Sequence, residues 1–204
     1  MPKRMQDRRV QRTRQLLQDA LVSLMVEKGY EDTTVQDIID RANVGRATFY
    51  AHFADKDTLL ASRLEDLREL LVRRQREVLE ASGDAKGRGF GFSLALLEHA
   101  RSHLTLYRAI VGRKSGSVVV QRIQGMVADL VRGELAARER GGAGRGAAAA
   151  GQRDLAVQYV TGAFMGVLTW WLDHGARLRA DEVDDQFRQL VMSGLGAQPG
   201  RGQD

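Results

Sequence analysis

The stretch NVGRATFYAHFADKDTL, from Asn43 to Leu59, decides the fold. Asn43, Val44 and Gly45 predict a tight turn, since Asn and Gly are the residues that turns favour. A short helix is predicted from about Arg46 to Phe53. Phe49 and Phe53 stand four residues apart, share one face, and mark it as the buried one. Arg46, Thr48, Tyr50 and His52 are then left facing outward or sideways. Asp55 opens a further helix. Neither a packed core helix nor a merely solvated one calls for that set of side chains.

Upstream, EDTTVQDIIDRA predicts another short helix with Val35, Ile38, Ile39 and Ala42 on its inner face. Thr34 can cap it, and Asp37 at the third helical position completes a capping box with Asp in place of Glu. Before it, Leu17, Ala20, Leu21 and Leu24 recur at helical spacing from about Arg9 to Lys28, and Gly29 ends that helix. Two short helices around a three-residue turn make a helix-turn-helix, whose second helix enters the DNA major groove. There Arg46 can form paired hydrogen bonds to a guanine edge. Thr48, Tyr50 and His52 can donate to phosphate oxygens, and Lys56 adds a further phosphate contact at the next helix start.

The rest of the chain frames this motif. Pro2 and Pro199 are the only prolines among 204 residues, so nothing between them breaks helices in proline's way, and an all-α chain is expected. Cysteine is absent, which removes disulfides, thiolate metal sites and cysteine nucleophiles. The start, MPKRMQDRRVQRTRQ, lacks the apolar core of a secretory signal, so a cytoplasmic location is the default. Within residues 1–14, six basic residues stand against Asp7, and that arm alone equals the chain's net charge of +5. Such an arm suits an anionic polymer.

Downstream of Asp55 a long helix reads through Leu59, Leu60, Leu64, Leu67, Leu70 and Leu71 to about Leu79. Ser82–Gly91 is a glycine-rich linker. Helices follow over Phe92–His103, Leu104–Gly112 and Ser117–Arg140. Gly141–Gly151 predicts a low-complexity break. Three domains of sequence are expected: residues 1–54 as basic arm and helix-turn-helix, 55–198 as a larger helical domain, and 199–204 as a tail. From Leu155 to Leu172 no residue is charged. That length touches the lower limit for a membrane span, but Gln158, Thr161 and Thr169 interrupt it, and a helix apolar all round is more often buried in protein. No membrane partner is expected. The last helix starts in acidic DEVDD, which suits a helix N-terminus. Two helices this apolar call for a second copy of the chain, joined as a four-helix bundle across a two-fold axis. The interface candidates are Val160, Gly162, Phe164, Gly166, Val167, Trp171, Phe187, Leu190 and Val191. Gly162 and Gly166 would let another helix approach closely.

Other residues invite sharper readings. His99, His103 and Tyr107 recur every four residues and would share a polar stripe if one helix carried all three; with Phe164, Trp170 and Trp171 they are candidates for lining an effector pocket. A half-buried polar stripe and a packed aromatic core are the plainer alternatives. As a metal site the histidines have too few partners, and no cofactor is implied. Gly87, Gly89 and Gly91 lack the strand and the Lys-Ser or Lys-Thr of a phosphate loop. No nucleophile, base and orienting group assemble from His99, His103, Glu98 and Asp173, so catalysis is not expected. A helical adaptor or small-molecule-binding protein remains the alternative, but an adaptor has no reason to carry Arg46, Thr48, Tyr50, His52 and Lys56 together.

From Thr13 to Leu60 the chain resembles the DNA-binding domain of the TetR family of bacterial transcription regulators. The resemblance rests on Gly29-Tyr30, Thr33-Thr34, Ile38, Ala42, Val44, Thr48-Phe49-Tyr50, His52-Phe53, Lys56 and Leu59. It implies an N-terminal three-helix helix-turn-helix domain joined by a long helix to a larger ligand-binding and dimerisation domain. It implies a homodimer whose last two helices form the interface, acting as a repressor on double-stranded operator DNA and released by a small-molecule effector. Carried over by position, the DNA contacts fall on Thr34, Arg46, Ala47, Thr48, Tyr50, His52 and Lys56. The family commonly has serine where this chain has Gly45, so Gly45 is not named as a side-chain contact.

Overall fold

The computed structural model describes residues 2–82, 89–111, 118–139 and 147–196. Among them are nine helices and no strand: α1 Pro2–Glu27, α2 Val35–Ala42, α3 Arg46–His52, α4 Lys56–Ser82, α5 Phe92–Ser102, α6 Leu104–Val111, α7 Val118–Glu139, α8 Ala147–Asp173 and α9 Ala180–Gly196. Two compact units emerge. The first joins residues 1–68 to 105–121; the second joins 69–104 to 122–204.

Helix α1 starts seven residues earlier than the apolar spacing predicts. Proline is well placed at the first helical position, and the Lys, Arg and Gln that follow are good helix formers. Helix α2 begins with the predicted capping box: the Asp37 amide donates to the Thr34 hydroxyl, and the Asp37 carboxylate accepts from the Thr34 amide at 2.7 Å. It ends at Asn43, whose φ of 51° is left-handed, a conformation Asn tolerates better than most residues. Gly29 closes the end of α1 with a φ of 91°.

The core of the first unit comprises Leu17, Leu21, Tyr30, Ile38, Phe49, Phe53 and Leu59, all buried. Arg41 binds Glu27 with two parallel hydrogen bonds of 2.7 and 2.6 Å and so ties α2 to α1. Buried Gln18 donates to Ser62 and Asp66 of α4, which satisfies a polar group that would otherwise be costly to bury.

The second unit is built on aromatic contacts. Phe164 of α8 meets Phe92 of α5 and Phe187 of α9 edge-on, with ring centroids 5.6 and 5.3 Å apart. Trp171 is buried and its indole N–H donates to the Leu178 carbonyl at 3.0 Å. A polar chain also runs through this core. Gln75 and the Phe90 amide both donate to Glu134, while Ser93 contacts both the Phe90 carbonyl and Asp184. Phe90 itself is fully buried at a φ of 62°.

One expectation changes. The predicted break over 141–151 is overturned in part: Ala147–Gly151 are helical and belong to α8, because a run of alanines, the strongest helix former, extends the helix. Residues 141–146 lie outside the described residues, as do Gly87 and the 199–204 tail. Among the described residues α8 alone is long and apolar enough to cross a membrane by length and composition. Its Val157, Val160, Phe164, Leu168 and Trp171 are buried in protein.

Candidate nucleic-acid interface

Phe49 and Phe53 anchor α3, with ring centroids 6.2 Å apart and both rings buried. Arg14 of α1 lies over the Phe53 ring at 5.2 Å and donates to Ser62. This anchoring sets the opposite side of α3 outward: Arg46, Ala47, Thr48 and Tyr50 are exposed, and His52 is half-buried. The Arg46 guanidinium lies 5.9 Å from the Tyr50 ring centre, so the two share one surface. Gly45 caps α3 with no side-chain hydrogen bond, and its carbonyl accepts from the Thr48 and Phe49 amides. A Cβ there would meet only the Thr48 hydroxyl, at 3.7 Å. Nothing steric therefore demands glycine.

Thr34 is exposed one helix away, but its hydroxyl is engaged. It donates to Asp37 at 2.5 Å while accepting from the Asp37 amide. Lys28 lies 2.7 Å from the same carboxylate and, with Thr34, holds it well below the usual carboxylate range. Lys56 is engaged more heavily. Its ammonium donates to the carbonyls of Tyr30, Glu31 and Thr33 at 3.0, 3.2 and 2.9 Å. The nitrogen also sits 4.6 Å from the Tyr30 ring centre.

The remaining candidates separate. The polar stripe does not form along one helix, because α5 ends at Ser102 and α6 begins at Leu104. His99 and His103 stack at 4.3 Å, while Tyr107 is buried in the other unit, its phenol pushed up by burial. Trp170 does not line an interior: it is 48% exposed and packs on His174. Phe164 and Trp171 do share one core. Among the described residues no cluster of three or more metal-ligating side chains occurs.

The dimer-interface candidates divide by burial, with Val167 half-buried. Val160, Phe164, Trp171, Phe187 and Val191 are at most 2% exposed, because they already pack within their own chain. Gly162 and Gly166 of α8 are exposed, joined by Leu155, Tyr159 and Trp170 on the same outer side, and Leu190 of α9 is exposed as well. Residues 155, 159, 162, 166 and 170 follow the 3.6-residue period and form one stripe. A Cβ on Gly162 or Gly166 would meet nothing within the chain. Sequence reasoning treated α8 as apolar all round and so did not divide its two faces. It also missed Asp184 and Ser93; a polar residue set among Val183, Phe187 and Val191 was the available signal.

The model of the tetR family of bacterial regulatory proteins matches residues 17–62. A model of a transcriptional regulator C-terminal region matches residues 90–193. The chain belongs to the TetR family of DNA-binding transcription regulators. It is 45% identical over 60 residues to the uncharacterized HTH-type transcriptional regulator YxbF of Bacillus subtilis, a match spanning 29% of this chain and 16% of that protein. It is 24% identical over 188 residues to the HTH-type transcriptional repressor KstR2 of Mycolicibacterium smegmatis, spanning 89% of each. A TetR-family regulator from Syntrophomonas wolfei has the same fold, with a TM-score of 0.73, 19% identity, and coverage of 94% of this chain and 99% of that one.

Proposed function

We propose that this regulator is a cytoplasmic, ligand-responsive repressor. As a homodimer it binds a near-palindromic operator through two copies of α3, and a small-molecule effector held in the second unit releases it. The observation that carries the reading is the two-sidedness of α3: Phe49 and Phe53 inside, Arg46, Thr48 and Tyr50 outside. The likeness to a named repressor over most of both chains supports repression. Arg46 reads a base edge, and Thr48, Tyr50 and His52 fix register on phosphates. The two heads sit roughly 34–36 Å apart, one turn of DNA, or somewhat more. The stripe Leu155, Tyr159, Gly162, Gly166 and Trp170, with Leu190 of α9, forms the dimer contact. The effector acts by preferring the released conformation, and shifts the population only by that difference in affinity.

Selection from random-sequence duplex DNA at near-physiological salt tests this. The native protein enriches a palindromic site. Tyr50→Ala weakens binding to every sequence, and Arg46→Ala also relaxes base preference by about 1–3 kcal/mol at one position of each half-site. Enrichment of no sequence by the native protein would remove the reading.

A further inference from the structure

Lys56 stands where the family resemblance places a phosphate contact, yet its hydrogens are already committed. An ammonium group has three N–H donors and no acceptor. Here the three donate to the carbonyls of Tyr30, Glu31 and Thr33, all in the loop between α1 and α2. None is left for a phosphate oxygen. The next residue takes the same loop from another direction, since the Tyr30 hydroxyl donates to the Asp57 carboxylate. Lys56 also lies over the Tyr30 ring. Two consecutive residues at the start of α4 thus grip the loop by its backbone, its ring and its hydroxyl.

The surroundings favour this role. Glu31, Asp32, Asp55 and Asp57 flank the contact in sequence, and their charge opposes a phosphate. A cation at a helix N-terminus is also unfavourable unless it has partners of its own, and the three carbonyls supply them. The loop also borders a cavity of about 180 Å³, lined in part by Met25, Gly29, Ala109, Ile110 and Val119. Packing therefore holds the loop only in part. The loop leads straight into Thr34, the cap of α2.

From these contacts we infer that Lys56 is a positioning residue, not a DNA contact: with Asp57 it clasps the α1–α2 loop through Tyr30 and so fixes how α2 and α3 are presented. The inference rests on the operator-binding reading above, and its test separates the two. Lys56→Met removes the donors but keeps the aliphatic stem; Tyr30→Phe breaks the clasp while leaving every charge in place. Binding is measured against salt on the selected site and on random duplex, at a temperature where circular dichroism shows native helicity. Both variants should lose about ten-fold or more on the selected site, with non-specific binding and the slope of log K against log salt unchanged. Hydrogen exchange at the Thr33 and Thr34 amides should speed up in both, with or without DNA.

A phosphate contact would instead reduce the salt slope by about 0.9 per head in Lys56→Met and leave Tyr30→Phe silent, which overturns the inference. Equal loss on both DNAs, together with lost helicity, would reduce Lys56 to a folding role and overturn it too. If the native protein selected no site, the operator reading would fail, while amide exchange would still decide the clasp.

Discussion

Asp184 shows how one buried side chain can set a pH dependence. It is 1% exposed, touches Ser93, lies 2.8 Å from Arg188, and has Asp185 beside it. Burial raises its carboxyl pKa, against the opposing pull of Ser93 and Arg188. A raised pKa means the folded state holds the proton more tightly than the unfolded one. Its contribution is therefore fully present below the unfolded value of about 3.9 and lost as pH rises through the folded value. Asp184→Asn, which mimics the protonated acid, should flatten that part of the curve of unfolding free energy against pH, as read by urea melts from acid to neutral pH. Asp37 has the opposite sign: its lowered pKa gives stability present above the unfolded value and lost as pH falls. Both residues were visible in the sequence, but only the role of Asp37 was legible there. A capping box is local and can be read from spacing; the Arg188 contact of Asp184 is local too, but the Ser93 that shares its buried site lies 91 residues away.

At the scale of elements, the same contrast explains which expectations held. The turn at Asn43–Gly45, the cap at Thr34 and the buried pair Phe49 and Phe53 follow from short-range rules, and the structure has all of them. The faces of α8 did not follow, because apolar residues occupy both sides and periodicity alone cannot divide them. The structure makes the division and sets Gly162 and Gly166 on the outer stripe; there, as at Gly125, Gly133 and Gly151, a Cβ would meet nothing within the chain. Glycine inside a helix is worse than alanine by about 0.8–1.0 kcal/mol, and at Gly162 and Gly166, on the outer stripe, the missing side chains leave room for another helix to approach closely. Gly194 is of a different kind, since a Cβ there would come within 3.0 Å of the Tyr159 hydroxyl of the same chain. Gly162→Leu and Gly166→Leu should therefore leave the monomer helical but shift sedimentation toward monomer and weaken operator binding. Unchanged sedimentation in both would place the dimer contact elsewhere.

For the whole molecule, the two-unit organisation carries a testable claim. The helix-turn-helix was legible as residues 1–54, yet the unit that contains it extends to residue 68 and takes in residues 105–121. Sequence patterns show where a helix starts and stops; they do not show which distant helix completes its core. A fragment of residues 1–68 should bind DNA more weakly than the intact chain and melt less cooperatively, because Ala109, Ile110 and Val119 no longer border the α1–α2 loop. Full retention of the melting transition in that fragment would show that the added segment contributes nothing to the head.

That discontinuity also orders events on the ribosome. Domains tend to form as the chain emerges, at about 5–20 residues per second. When residue 68 appears, the segment 105–121 that belongs to the same unit is still missing, and it emerges only after the first part of the second unit. For those few seconds the α1–α2 loop lacks Ala109, Ile110 and Val119, which border it in the finished chain. A nascent chain stalled before residue 105 would present its basic first helix to nucleic acid with one flank of the α1–α2 loop still uncovered.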